Sequence, residues 1–465
     1  MNLKRELTLF DLVMFNIVAV IGLRWIAITA ARGYSSLTLW LVAVIIFFIP
    51  QGLTVAELSS RFPKEGGLYY WTKLAFGDFH GFLSGWCYWT NNLIYYPSLL
   101  IFIAGISVYV GGKHLIPLGE SRLYVLLFSL IVLWIAIGLN IIGLRQGKWV
   151  ENVGAIGVWL PAVILVVLGI ISWAKYGISN PLSLKSLLPD FSSFNTISFF
   201  AVICFALSGI ELAPIMSEEI KDPRKNIPRA IVIGGIIIGT IYLVGTLSLL
   251  LALPIKEINI ISGVVQVIAK VGERVGFNLI GNVVAFLIVL GGLGAVGAWL
   301  IGTARIPFVA GLNKHLPQVL GKVHPRWHTP YVAILVQGGF SSLFLLMSFV
   351  GATVKEAYLV LLDTLIMVYF VPYLYMFASL IALRKTRDKD KGALLIPWGN
   401  LGVFLIGGLG FATTLLAIIL AAVPPPEAKS ALLYEVKVIG GLALFLALGG
   451  ITYYHSLFRR RKMAG

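Results

Sequence analysis

Apolar residues along this chain come in long runs separated by short polar punctuation. A helix that crosses a bilayer needs about 20 largely apolar residues. Twelve stretches meet that need, at roughly 8–32, 36–58, 80–110, 123–143, 152–174, 194–217, 229–253, 276–304, 330–350, 357–383, 397–422 and 432–457; they are numbered span 1 to span 12. Most are apolar all round, as lipid-embedded helices should be. The alternating segments of about ten residues that a membrane β-barrel requires are absent from the sequence. The pattern therefore predicts an all-α polytopic membrane protein with about 12 transmembrane helices, a single domain over 1–465, with no long polar stretch left for a soluble domain. The segment Ile255 to Val271 departs from it. It is shorter, more polar and partly amphipathic, and is expected to lie at the outer surface as a loop helix.

Two spans carry glycine-containing interruptions beside polar residues. In span 1 the run is Ala19-Val20-Ile21-Gly22-Leu23-Arg24-Trp25, and in span 6 it is Ala206-Leu207-Ser208-Gly209-Ile210-Glu211. Glycine permits backbone geometries that break a helix. A break at mid-membrane depth offers bare N–H and C=O groups to a solute, and is tolerated only where protein or water covers it. Matched breaks five spans apart are the pattern of an inverted-repeat transporter.

Charge sharpens the topology. Charged residues make up only 12% of the chain against 58% hydrophobic, where a soluble domain carries about 25% charged, so lipid must cover much of the apolar surface. The net charge of +16 is unevenly placed. The side that holds both termini in an even-span protein has 24 Lys and Arg, the other side has 11, and Arg24 lies within a span. That bias predicts a multi-pass protein of the cell membrane with both termini cytoplasmic. The run Arg459, Arg460, Arg461, Lys462 then faces anionic lipid heads rather than nucleic acid. Met1 to Leu9 holds Lys4 and Arg5 but lacks a small-residue cleavage signature, so span 1 is read as permanent. The two cysteines, Cys87 and Cys204, fall inside spans and provide neither a disulfide framework nor metal-ligand spacing. No metal and no cofactor is expected.

Three segments carry a family resemblance. "TVAELSSRFPKEGGLYYWTKLAFGDFHGFLSGWCYW" (54–89), "FALSGIELAPIMSEEIKDPRKNIPRAI" (205–231) and "GAVGAWLIGTARIPFVAGLNKHLPQVLGKVHPRWHTPYVAI" (294–334) resemble, in turn, the span 2–3 region, the sixth span with its basic exit, and the eighth span with the following loop of the amino acid–polyamine–organocation transporter superfamily. The resemblance covers nearly the whole chain. It implies ten core helices as two inverted sets of five, approximately 8–174 and 194–383, with peripheral helices at 397–457. It also implies alternating access around a site between the two broken helices, for an amino acid or polyamine substrate. In relatives a Gly-small-Gly pattern in the first break binds the substrate carboxylate. Here the matching positions are Gly22, Leu23 and Arg24, so arginine stands where the last glycine is expected. The Leu23–Arg24 pair resembles the glutamate/GABA antiporter branch.

Arg24 is the most informative residue. An arginine at a helix centre costs roughly 2.5–3.5 kcal/mol to insert, so it should face the interior and find a partner. Two readings stay open: it binds a substrate carboxylate, or it pairs with Glu211 or Asp363. Those two acids are candidates for gating or proton coupling. Ile21, Gly22, Leu23, Ala206, Ser208 and Gly209 are the backbone candidates for substrate binding. By the resemblance, Phe205 matches a gating aromatic, Trp299 a tryptophan bordering substrate, and Asn92 a polar residue of the third span, with Asn91 as the competing choice. Ordinary packing explains Phe205 and Trp299 equally well. The hydroxyls that serve sodium in some relatives are missing from 289–302, and Val158 stands where some proton-coupled relatives have a lysine. Solute exchange or proton coupling remains. Acidic or neutral amino acids fit Arg24, while polyamines or cationic amino acids fit the two acids. A nucleophile–base pair or phosphate loop, as an enzyme would need, is not visible. A transporter-like amino-acid sensor would need a signalling domain or long tail, and the sequence shows neither. Some relatives pair with a glycoprotein through a cysteine in the outer loop region; residues 111–122 contain none, so no disulfide-linked heavy chain is expected. A homodimer is left open.

Overall fold

The computed structural model describes residues 7–64, 66–142, 147–190, 194–309, 315–322, 324–327, 329–350, 353–384, 394–425 and 428–464. Every predicted span is helical. Span 1 is split into Leu9–Val20 and Leu23–Ala30, and span 2 runs Ser35–Ala43, a π-helical turn Val44–Phe48, and Ile49–Arg61. Spans 3, 4 and 5 are Asp78–Ser107, Arg122–Ile142 and Gly147–Tyr176. Span 6 is Phe194–Ala206 followed by a 3₁₀ segment, Ile210–Glu219; spans 7 to 10 are Pro223–Ala252, Ile280–Val309, Tyr331–Ser348 and Val354–Leu383. Gly399–Ala421 and Ala431–Ala464 are spans 11 and 12. Among the described residues, nine helices are long and apolar enough to cross a membrane. The broken spans 1 and 6 fall short through length, and span 3 carries the polar run Thr90-Asn91-Asn92.

Local chemistry sets the helix ends. Thr8 caps span 1 in a reciprocal box: its N–H and hydroxyl donate to the Asp11 carboxylate at 2.8 and 2.7 Å, and its hydroxyl oxygen accepts the Asp11 N–H. The Thr353 hydroxyl oxygen likewise accepts the Glu356 N–H at the start of span 10. A short helix the sequence did not announce, Leu68–Phe76, precedes span 3.

The packing has the symmetry of an inverted repeat. Span 3 lies along span 10 as span 8 lies along span 5, which exchanges the two sets of five. Spans 2 and 7, 3 and 8, and 4 and 9, each pair equivalent in the two halves, touch one another. Spans 11 and 12 pack on the outside, chiefly against span 10. Spans 5 and 8 approach backbone to backbone. A Cβ on Gly157 would collide with the Leu287 carbonyl, and one on Gly291 would sit 3.0 Å from the Gly157 backbone. Small residues are how membrane helices reach such distances.

The loop segment after span 7 holds the expected loop helix, beginning later than predicted. It is a 3₁₀ turn, Ile255–Glu257, then a helix, Gly263–Arg274. Val264, Val265, Val267, Ile268 and Val271 on that helix are buried against the bundle, chiefly spans 8 and 5 and the second half of span 1. Its amphipathic face covers protein rather than floating on lipid. Cys87 and Cys204 are buried and unbridged in spans 3 and 6.

The end of span 2 is pinned by an ion-pair cluster. The buried Glu57 accepts Arg384 at 2.8 Å, Arg61 at 3.3 Å and the Ile396 N–H at 2.8 Å. The Ser60 hydroxyl and Leu394 backbone hydrogen-bond beside it. Removing one member of a buried ion pair costs about 3–5 kcal/mol, because the other charges stay buried. Glu57→Ala should therefore lower the thermal unfolding midpoint of the purified protein sharply, while Ser59→Ala, two residues further on, leaves it nearly unchanged.

Candidate functional site

Both helix breaks are closed by groups from neighbouring spans. At the first, the Tyr242 hydroxyl of span 7 donates to the Val20 carbonyl at 2.6 Å and accepts the Gly22 N–H at 3.0 Å. Tyr242 is held flat against Trp40 of span 2, with ring centroids 4.5 Å apart. At the second, Gly209 has φ +126°, a conformation that L side chains rarely adopt. Its N–H donates to Glu211 Oε2 at 3.0 Å and to the Tyr373 hydroxyl at 3.1 Å. A Cβ at Gly209 would lie 3.1 Å from Val20 Cγ2, so the two breaks abut.

Glu211 is fully buried and ties three spans to its own. Its Oε1 accepts the Tyr88 hydroxyl of span 3 at 3.2 Å and the Tyr369 hydroxyl of span 10. Its Oε2 accepts Gln51 of span 2 at 3.2 Å and the Tyr373 hydroxyl. All these donors are neutral, and among the described residues no cation lies within ion-pairing distance. Asp363, higher in span 10, accepts the Tyr434 hydroxyl of span 12 at 2.5 Å. It lines a separate small cavity of about 30 Å³ together with Arg32.

Arg24 pairs with neither acid. It is 3% exposed, and its Nη1 donates to the Ser98 hydroxyl at 3.3 Å. Its guanidinium carbon sits 4.3 Å from the Trp25 ring centroid and 5.2 Å from that of Tyr95, close enough for cation–π attraction. Aromatic contacts continue on both sides: Tyr95 to Trp299 at 5.2 Å, and Trp25 to Phe205 to Tyr369 at 5.5 and 5.3 Å. Tyr369 thus shows its ring to this row and its hydroxyl to Glu211.

These side chains enclose a cavity of about 90 Å³ between the two breaks. Of the residues singled out in the sequence, Ile21, Gly22, Leu23, Arg24, Asn92, Phe205, Ser208 and Trp299 line it, and so does the competing Asn91. Ala206 and Gly209 do not; Gly209 is turned toward Ala19 and Val20. Glu211 lies one phenol behind the wall, and Asp363 lies outside it. Tyr95, Trp25 and Tyr369 line the cavity although the sequence reading passed over them. For Tyr95 the signal was its place one turn after Asn91 and Asn92 on the same helix. Val158 and Gly157 complete the wall from span 5.

The polar groups of the cavity are of opposite character at two places. Arg24 offers N–H donors, and the Leu23–Ala30 helix starts there with its first N–H groups facing no helical acceptor. The Oδ1 atoms of Asn91 and Asn92 are buried and, among the described residues, have no hydrogen-bond partner. A buried acceptor without a donor costs about 1–3 kcal/mol. The cavity wall therefore combines a buried cation, Arg24, with two asparagines whose carbonyl oxygens are unpartnered among the described residues.

The family model described as amino acid permease matches residues 7–443. The probable agmatine/putrescine antiporter AguD of Lactococcus lactis is 26% identical over 98% of this chain and 96% of its own. A glutamate/gamma-aminobutyrate antiporter of Lactococcus lactis is also 26% identical, over 83% of this chain and 77% of its own. Among solved structures, MhsT in complex with L-phenylalanine superposes with a TM-score of 0.61 at 14% identity, covering 88% of this chain and 98% of that one. That likeness concerns the fold.

Tyr242 offers a clean test of the first break. Tyr242→Phe keeps the stack on Trp40 but strands the Val20 carbonyl and the Gly22 N–H. At about 1–3 kcal/mol for each stranded group, the thermal unfolding midpoint should fall well below that of the parent protein. An unchanged midpoint would mean that other groups close the break.

Proposed function

The chain belongs to the amino acid permease family, and from that premise we propose that it is a secondary transporter of the cell membrane that exchanges amino acids by alternating access. Both termini are cytoplasmic in this reading, in accord with the placement of 24 Lys and Arg on their side and 11 on the other. The substrate binds in the cavity between the breaks at Gly22 and Gly209. Its carboxylate meets Arg24 and the first N–H groups of the Leu23–Ala30 helix; its ammonium meets Asn91 and Asn92. Phe205 and Trp299 close over it.

One observation carries this reading: Arg24 is buried in the cavity wall with its charge unspent. A charge inside a membrane protein is ordinarily paired, and among the described residues no carboxylate lies within 4 Å of this one. A substrate carboxylate completes it. The same cation repels an agmatine or putrescine, so of the two named relatives the glutamate/gamma-aminobutyrate antiporter is the better guide to substrate. Losing a hydrogen bond to a charged group costs about 1.5–3 kcal/mol. Arg24→Ala should raise the half-saturating concentration of carboxylate-bearing substrates in proteoliposomes roughly ten- to hundredfold, with the protein still folded. Normal transport by that variant would sink the binding role. Failure of any labelled amino acid or polyamine to exchange in the parent protein would sink the wider reading.

Glu211 is proposed as the proton-responsive group. It is held by neutral donors, so taking up a proton strands no cation. It also bonds Gly209 and sits behind Tyr369, which places it between the second break and the cavity. Protonation would remove acceptor capacity from the carboxylate and loosen the hold on spans 2, 3 and 10. Uptake by the parent protein should then respond to an inward pH gradient, and Glu211→Gln should be insensitive to it. Equal pH response in both proteins would assign the coupling elsewhere, with Asp363 the next to test.

A further inference from the structure

The face of the bundle between spans 2 and 7 is hollowed into a groove of about 670 Å³. Its concavity has a local cause. Gly52, Gly235 and Gly239 form its floor in place of side chains, and the π-helical turn Val44–Phe48 forms one wall. At the floor the helices are in contact: a Cβ on Gly52 would lie 3.3 Å from Ile231, and one on Gly235 3.2 Å from Phe48. The lining is apolar apart from two residues. The Thr240 hydroxyl is already spent on the Ile236 carbonyl at 2.8 Å. The other is Arg229, exposed at one end of the groove and without a hydrogen bond or ion pair among the described residues.

A flat apolar flank is what any membrane helix offers to lipid. A groove with a single unspent cation at its mouth offers more. Arg229 stands on the first turns of span 7 with Arg224 and Lys225, the basic end that the charge bias puts at the cytoplasmic surface, where anionic lipid heads gather. From Arg229 to Leu243, at the far end of the lining, the helix rises about 21 Å. One leaflet of the hydrocarbon core is about 15 Å deep. The groove therefore spans a headgroup and an acyl chain of the same leaflet.

We propose that this groove binds one anionic phospholipid, with its phosphate on Arg229 and an acyl chain laid between spans 2 and 7. The chain would lie over Gly52, where a Cβ would sit 3.8 Å from Cδ1 of Ile210, the buried residue that directly follows Gly209. The lipid thereby lies near the outer side of the second helix break.

The test counts retained lipid, so it does not depend on the transport reading. The protein is reconstituted in a mixture of anionic and zwitterionic phospholipid, extracted gently, and weighed by native mass spectrometry. An arginine near the surface attracts an anionic lipid by an amount that corresponds to about a fivefold change in retention. Arg229→Gln should therefore retain about fivefold less anionic lipid. Gly239→Leu, which fills the groove where the nearest atom to a new Cβ is 4.0 Å away, should lose it as well. Arg224→Gln, at the same end of span 7 but outside the lining, should match the parent. The proposal is overturned if Arg229→Gln and Gly239→Leu retain lipid as the parent does, if Arg224→Gln loses as much, or if the parent holds zwitterionic lipid equally well.

Discussion

A backbone interrupted inside a bilayer leaves carbonyl and amide groups that water cannot reach, and the rest of this architecture depends on how they are paired. Each unmet group costs several kcal/mol in hydrocarbon. Span 1 is closed by one phenol, Tyr242, which serves as donor to Val20 and acceptor to Gly22. Span 6 is closed by a carboxylate from its own next turn, Glu211, which needs further donors and draws them from spans 2, 3 and 10. The two solutions follow the pseudo-symmetry. Span 7 supplies Tyr242 to the first break as span 2 supplies Gln51 to the second.

The two breaks differ in consequence. The first is sealed by a group that does not ionise at physiological pH, and it leaves Arg24 facing the cavity. The second is sealed by a group that can take a proton. Charge is thereby divided: a cation in the cavity wall and an acid behind it, with Trp25, Phe205 and Tyr369 in contact between them. Direct pairing of Arg24 with Glu211 would have neutralised both. Their separation leaves the cation in the cavity wall and the acid held by neutral groups.

The fold was legible in the sequence because bilayer crossing imposes a length and a polarity on each element. All twelve stretches became helices, and the interruptions at Gly22 and Gly209 fell where the polar flanks placed them. The loop helix Gly263–Arg274 was legible as amphipathic, but what its apolar face covers depends on tertiary packing that periodicity does not report. The cavity was half legible. Gly22, Arg24 and Ser208 announced themselves as polar or small residues inside apolar runs. Tyr95 and Tyr369 did not, since an aromatic in a membrane span is ordinary and only the fold shows which ones share a wall. That Arg24 does not pair with Glu211 could not be read from the sequence, because the Glu211 oxygens are occupied by tyrosines from distant positions.

Tyr369 belongs to two systems at once, through its ring and through its oxygen. Its ring is part of the cavity lining, and its hydroxyl is one of the two that grip Glu211 Oε1. A solute that displaces the ring by a rotamer's swing also withdraws a donor from the acid. Among the described residues that bond Glu211, Tyr369 is the one that also lines the cavity, so any contact made with its ring there falls on a side chain the acid already holds.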